Sequence, residues 1–254
     1  GSFDRAQYMH QFGRFVNELN GRYITALDSG TELPDMDIIA EHTPYVASLS
    51  KYDGDPSPST ARGILRGIQA AVAFKLGKES LNGVHVAIQG LGHVGFLLAR
   101  HLHELGATLT VADVSPAAVE RAVTELGAKA VSTDQIHKVP CDVFAPCALG
   151  AIINDITISQ LQTTIVAGAA NNQLAHTYHG NKLHDKGILF AVDYVINAGG
   201  LIFAASKYLH TPEEKINEQI DAIYTHLTEI FARSAQENLP TSEIADNLAK
   251  EKLS

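Results

Sequence analysis

Apolar residues recur at three- and four-residue intervals near the start of the chain, at Tyr8, Phe12, Phe15, Val16 and Leu19, and the series stops at Gly21. That spacing predicts an amphipathic helix, ended by glycine, with one face that needs a partner surface. A strand-like run from Arg22 to Ala26 follows, then the polar turn Asp28-Ser29-Gly30-Thr31 and a short helix from Pro34 to Glu41. Ser48 to Pro58 is rich in Ser, Asp, Gly and Pro and reads as a connector. A second long helix is predicted from about Ser59 to Leu76, closed by Gly77.

From Gly83 the texture changes to short β-branched runs separated by helical patterns. The runs are Val84 to Ile88, Thr108 to Ala112, Cys141 to Phe144, Thr164 to Ala167 and Ile188 to Ala191. Strands alternating with helices predict an α/β fold with a doubly wound parallel sheet covered on both faces. Ser115-Pro116 supplies an N-cap and a first-position proline, and Gly127 ends that helix after Leu126. Thr211 to Leu253 is helical with a break near Asn238-Leu239-Pro240, and is polar enough to wrap an exterior. The chain has no internal repeat and no low-complexity tract.

The first of these strands runs from Val84 to Gln89 straight into Gly90-Leu91-Gly92-His93-Val94-Gly95, and Phe96 to Leu105 continues as a helix. Here Gly90 permits a tight turn, Gly92 lets backbone approach a pyrophosphate, and Gly95 lets the helix sit close to the strand. The phosphates then lie at the positive end of the helix. The next predicted strand ends at Asp113, eighteen residues beyond Gly95. That carboxylate can accept from both hydroxyls of an adenosine ribose and would repel a 2′-phosphate, so the pattern predicts a Rossmann-type domain that binds NAD rather than NADP. The bland reading is a glycine turn beside a surface Asp. Further polar clusters stand at Asp28 to Thr31, Cys147 to Asn154, Ala169 to Asn172 and Asp193 to Gly200. Ligands of an open parallel sheet sit at the carboxyl ends of its strands, so these clusters are expected near the nicotinamide. Asn171-Asn172 as a plain turn and Gly199-Gly200 as a helix start remain open alternatives.

Composition narrows the partners. With 19 Lys and Arg against 28 Asp and Glu the formal charge is -9, which opposes adhesion to nucleic acid or an anionic membrane. Apolar runs such as Gly199 to Ala205 are too short to cross a bilayer and no signal-peptide pattern opens the chain, so a cytoplasmic location is expected. Cys141 and Cys147 match neither a redox pair nor a zinc site and read as reduced thiols. Twelve His invite a metal reading. His101 and His103, however, lie two apart on a predicted helix and do not share a face, and no zinc-type spacing occurs, so no metal is expected.

Five segments carry a family resemblance. They are Leu19 to Ala26 (LNGRYITA), Asp55-Pro56-Ser57-Pro58, Ala145 to Asn154 (APCALGAIIN), Gly168 to Leu174 (GAANNQL) and Asp193 to Gly200 (DYVINAGG). In this order they resemble the glutamate, leucine, phenylalanine and valine dehydrogenase family, nearest its leucine-oxidising members. The resemblance implies reversible oxidative deamination of an aliphatic L-amino acid to its 2-oxo acid and ammonia with NAD, by an enzyme that is a homo-oligomer when intact. It implies that residues 1–58 are a remnant of a second α/β domain for substrate and oligomerisation. Residues 59–200 would be the dinucleotide-binding domain with its linking helix, and 201–254 helices packing back across both. Asp28 matches the family's catalytic aspartate, a role suited to a buried carboxylate beside a cation; its bland role would be a charge at a helix N-terminus. Thr60, Cys147, Ala148, Asn171 and Asn197 match positions lining the cofactor or the substrate α-carbon. Ala26, Leu201 and Ala204 match side-chain pocket positions, and a pocket without a basic residue disfavours a glutamate side chain.

The sequence departs from the family in one respect. It contains neither the family's Gly-Gly-Gly-Lys segment nor its earlier lysine, which the resemblance places upstream of the opening helix. Lys51 sits in the connector and Lys75 and Lys78 stand at the end of a predicted helix, so none is expected to replace the missing lysine. Gly1-Ser2 reads as a cloning junction or a natural one. The chain as given is therefore expected to be inactive or nearly so, and a non-catalytic NAD-binding protein is the alternative.

Overall fold

The computed structural model describes residues 4–28, 30–51 and 54–253. Gly1-Ser2, Ser29 of the polar turn, and Tyr52 and Asp53 of the connector lie outside the described residues. In chain order the elements begin with α1 (Arg5–Glu18), α2 (Leu33–Ala40), α3 (Ser57–Leu76), β1 (His85–Gln89), α4 (His93–Glu104), β2 (Thr108–Ala112) and α5 (Pro116–Leu126). They continue with β3 (Lys129–Ala130), β4 (Cys141–Pro146), α6 (Thr157–Gln160), β5 (Thr163–Val166), α7 (Tyr178–Asp185) and β6 (Leu189–Phe190). The series closes with α8 (Asp193–Ile196), α9 (Gly199–Tyr208), α10 (Glu213–Asp221), α11 (Ile223–Glu237) and α12 (Thr241–Leu253). The chain divides into two compact units, 1–59 with 200–219, and 60–199 with 220–254.

In the second unit six strands form one sheet in the order β3-β2-β1-β4-β5-β6, and every pairing is parallel. Val86, Ala87 and Ile88 are all buried, as expected of a strand covered on both faces. On α4, Phe96, Leu98, Ala99 and Leu102 are buried. Full burial of a leucine side chain contributes roughly 1.5–3 kcal/mol, which anchors the helix that follows the glycine turn. The capping signals act as read: the Ser115 hydroxyl accepts from Ala118 N–H, and Gly127 ends α5 in the left-handed region. The two-residue β3 has no counterpart in the sequence reading because both its residues are exposed and carry no apolar alternation.

The first unit is built around Met9, Met36, Ile39 and Val46, with Phe12 and Leu27 packed against them. The buried stripe of α1 is Met9, Gly13 and Val16. Tyr8 and Phe15, expected on that face, are 53% and 55% exposed, because the stripe in contact with α2 is centred one step around the helix; Tyr8 stacks on Phe12 instead. The strand expected from Arg22 to Ala26 is reduced to a parallel bridge between Thr25 and Val46, since among the described residues no longer partner strand lies beside it.

A bidentate ion pair joins the first turn of α1 to the first turn of α2. Arg5 Nε donates to Asp35 Oδ1 at 2.9 Å and Nη2 to Oδ2 at 2.6 Å, and Nη2 also donates to Gly30 O at 2.7 Å. The Arg5 hydrogen bonds hold the buried Asp35 carboxyl below the usual carboxylate range, against the opposing effect of burial and with help from Glu32 N–H. The folded-state value lies below the unfolded one near 3.9. The pair therefore adds stability above that pH, and the contribution is lost as pH falls through the folded value. Urea midpoints followed by circular dichroism are expected to drop as pH falls through and below the usual carboxylate range, and to drop less in Arg5→Gln. Equal pH slopes for both proteins would contradict this.

Candidate functional site

In a parallel sheet all carboxyl ends lie along one edge, and the chain reverses its outward winding between β1 and β4, which is where such folds take their ligands. Gly90 follows β1 with φ +99. A Cβ on it would stand 2.9 Å from Ala148 N and from Cys147 C, and one on Gly95 would stand 2.1 Å from Gly90 O. Only glycine at both positions lets α4 close onto the β1 turn. Around Gly92, by contrast, no atom beyond its chain neighbours comes within 4 Å of such a Cβ, and Gly92 is also the N-cap of α4. A helix N-terminus with open space before it is the cradle that a dinucleotide pyrophosphate requires. Leu91 and Gly95 are buried, His93 is exposed and Val94 is half-buried.

Asp113 stands at the end of β2, where Oδ2 accepts from Leu91 N at 2.6 Å and Oδ1 from Ser115 N at 2.7 Å. The carboxylate thus ties the glycine turn to β2. An ionised carboxylate offers about four acceptor sites, so two remain for ribose hydroxyls. On these observations the residues present fit NAD.

Cys147 N donates to Gln89 O at 2.7 Å. Burial pushes its thiol up to about 12, against a smaller opposing effect of the Ala169 backbone, so it packs as a neutral thiol and is no nucleophile. Cys141 is pushed up to about 11, again chiefly by burial, and both cysteines are free. Ala148 is exposed beside the turn, and Thr60 lies half-buried in the first part of α3.

Asn197 and Asn171 come together at the same edge: Asn197 Nδ2 donates to Asn171 Oδ1 at 2.6 Å and to Ala169 O at 3.1 Å. With Nδ2 committed to two acceptors, the group Asn197 presents is its carbonyl oxygen. The loop bearing Asn171 is clamped by residues that the sequence reading quoted but gave no role. Gln173, fully buried, donates through Nε2 to Gly168 O at 2.9 Å and Ala170 O at 3.0 Å, and its N–H donates to Asp193 Oδ2 at 2.8 Å. Asp193 in turn accepts from Tyr194 N. Asn-Asn-Gln reads as a solvated turn by composition, so only burial reveals the clamp. The clusters at 147–154 and 169–172 thus belong to the second unit, as does 193–200 up to Gly199; the fourth, at 28–31, belongs to the first.

In that fourth cluster Thr31 Oγ1 donates to Asp28 O at 2.7 Å and accepts from Asp28 N at 3.0 Å. Asp28 is exposed and does not have the buried setting expected of it, because this hydroxyl-pinned turn lies at the surface of its unit. The N-cap of α2 is Glu32, with Asp35 in its first turn, so Asp28 is not the helix charge of the bland reading either. Ala26 is half-buried, Ala204 buried and Leu201 73% exposed. No helix among the described residues is long and apolar enough to cross a membrane.

The sequence model of the Glutamate/Leucine/Phenylalanine/Valine dehydrogenase family matches residues 116–253. Leucine dehydrogenase of Geobacillus stearothermophilus is 49% identical over 245 residues, 95% of this chain and 67% of that protein. The crystal structure of L-tryptophan dehydrogenase from Nostoc punctiforme matches with a TM-score of 0.85 at 42% identity, covering 97% of this chain and 72% of that one. Hetero-hexameric glutamate dehydrogenase from Thermus thermophilus, in its Leu-bound form, matches with a TM-score of 0.77 at 22% identity over 97% of this chain and 68% of that one, a likeness of fold.

Proposed function

Because the chain belongs to the glutamate/leucine/phenylalanine/valine dehydrogenase family, we propose that the protein it represents catalyses NAD-dependent oxidative deamination of a branched-chain aliphatic L-amino acid. Leucine, valine and isoleucine are the substrates proposed, in amino-acid catabolism in the cytoplasm, by a homo-oligomer. The observation that carries this reading is the glycine cradle with Asp113 at the switch point of a parallel sheet, in a member of an amino-acid dehydrogenase family. Held by these residues, NAD would supply the hydride acceptor for oxidation at the substrate α-carbon. Water then adds to the resulting C=N bond and ammonia leaves, giving the 2-oxo acid. The chain's own part is to hold the dinucleotide with residues 90–95 and Asp113, to offer the Asn197 carbonyl oxygen, oriented by Asn171, as an acceptor, and to move protons at the Asp28 carboxylate.

The aliphatic assignment is supported by Ala26, Leu201 and Ala204, which offer a side chain no cation and no hydrogen-bonding group. The 42% identity to the Nostoc punctiforme tryptophan enzyme supports a second reading, an aromatic substrate. Values of kcat/KM for leucine, valine, phenylalanine and tryptophan, measured with a chain that carries the Gly-Gly-Gly-Lys segment, separate the two. Preference for either aromatic over leucine would overturn the first. Among the aliphatic acids one methylene is worth only about 1–3 kcal/mol.

Cofactor choice has its own test. Calorimetry is expected to show NAD bound more tightly than NADP, and Asp113→Ser is expected to narrow that gap. A hydrogen bond to a charged group contributes about 1.5–3 kcal/mol, or roughly 10- to 150-fold, and the substitution also removes the repulsion of a 2′-phosphate. Equal affinities in the wild type would remove the role given to Asp113.

A further inference from the structure

In the first unit, His10 on α1 meets Glu41 and His42, which continue the last turn of α2. His10 Nδ1 lies 2.9 Å from His42 Nε2 and 3.6 Å from Glu41 Oε2. The three ligand atoms all lie within 4.8 Å of one another, and no other group of three or more His, Cys, Asp or Glu does so among the described residues. We propose that His10, Glu41 and His42 form a binding site for a divalent transition-metal ion of the zinc, nickel and copper class, which would bridge α1 to the end of α2.

The geometry is close to what such an ion demands. Ligand atoms about 2.05 Å from a tetrahedral zinc stand about 3.3 Å apart, a value bracketed by the 2.9 and 3.6 Å separations. The third separation, between Glu41 and His42, is within 4.8 Å, so closing the set takes small rotations of partly exposed side chains. Two imidazole nitrogens in hydrogen-bond contact share one proton, and a cation that replaces it takes both lone pairs. The backbone is shaped for the approach: a Cβ at Gly13 would stand 2.8 Å from Ile39 O and 3.2 Å from His42 Cβ. Glycine at that position, one turn beyond His10, therefore lets α1 rest on the end of α2. Glu41 N–H donates to Ile38 O and His42 N–H to Ile39 O, which holds both ligand-bearing residues in a continued helical turn. The rings are crossed, with centroids 5.1 Å apart at 82°. Two imidazoles and a carboxylate select zinc, nickel or copper over magnesium or calcium, and three protein ligands leave a fourth position for water.

The test is calorimetric titration of the metal-free protein with Zn²⁺, repeated with Mg²⁺. One saturable zinc site is expected, with no heat from magnesium. Losing even a group that only orients a ligand costs about 10- to 100-fold in affinity, so His10→Ala and His42→Ala are each expected to weaken zinc at least 100-fold. Glu41→Gln is expected to weaken it by a smaller factor. Zinc is also expected to raise the Tm of the wild type, since it binds the folded state, but not that of the histidine variants. Circular dichroism of the metal-free variants checks folding. If His42→Ala does not fold, His10→Gln, at a partly exposed ring, carries the test. The proposal is overturned by the absence of a saturable site, by equal affinity for magnesium, or by unchanged zinc affinity in a folded histidine variant.

Discussion

Asp28→Asn, made in a chain that also carries a Gly-Gly-Gly-Lys segment, is expected to lower leucine turnover by a factor of about 10² to 10⁴ while leaving NAD affinity nearly unchanged. The hydrogen bonds between Thr31 and Asp28 use the main-chain N–H and C=O of Asp28, and asparagine keeps both. The substitution therefore removes a proton acceptor without removing the turn. The residues proposed for the dinucleotide, from Thr60 to Asn197, belong to the other compact unit, so the roles proposed for cofactor binding and for acid–base chemistry can be tested separately. The same reasoning predicts that the 254-residue chain, which has no Gly-Gly-Gly-Lys segment, binds NAD but turns over leucine little or not at all. Steady-state assays with calorimetry in parallel read both quantities. Substantial leucine turnover by protein of the mass of this chain would show that another residue supplies the base.

Gly95→Val should abolish measurable NAD binding. A Cβ at position 95 would meet Gly90 O at 2.1 Å and Gly90 C at 3.0 Å. The obstacle is main chain and cannot swing aside, so α4 must move away from the turn. The displacement moves the helix end proposed to face the phosphates, whose N–H groups and dipole are the groups that would hold them. Gly92→Ala is the informative companion. Its Cβ meets no atom beyond its chain neighbours within 4 Å, so the variant should melt like the wild type and yet bind NAD more weakly, because the added methyl fills the cradle. NAD affinity within a few-fold of wild type in Gly95→Val would disprove the placement of the cofactor.

Legibility in the sequence followed the range of the forces involved. Thr108 to Ala112 was readable to the residue as a strand, and the α5 caps were readable to the atom type, because both depend on neighbours a few positions away. The glycine turn was readable because its constraint is local backbone geometry combined with one acid at a fixed distance along the chain. Which face of α1 is buried was misread: Tyr8 and Phe15 keep the three-and-four rhythm, but the contact with α2 selects Met9, Gly13 and Val16.

By itself, then, the sequence determined the alternation of strands and helices, the parallel sheet this implies, and the glycine turn with Asp113 beside it. Tertiary structure alone decided that Gln173 and Asp193 clamp the Asn171 loop, that Arg5 pairs with Asp35, that Asp28 is exposed, and that His10 meets His42. The physical reason is that periodicity and capping record interactions over one or two turns of chain. A contact between residues thirty positions apart depends on how whole elements pack, and it leaves no spacing of its own in the sequence.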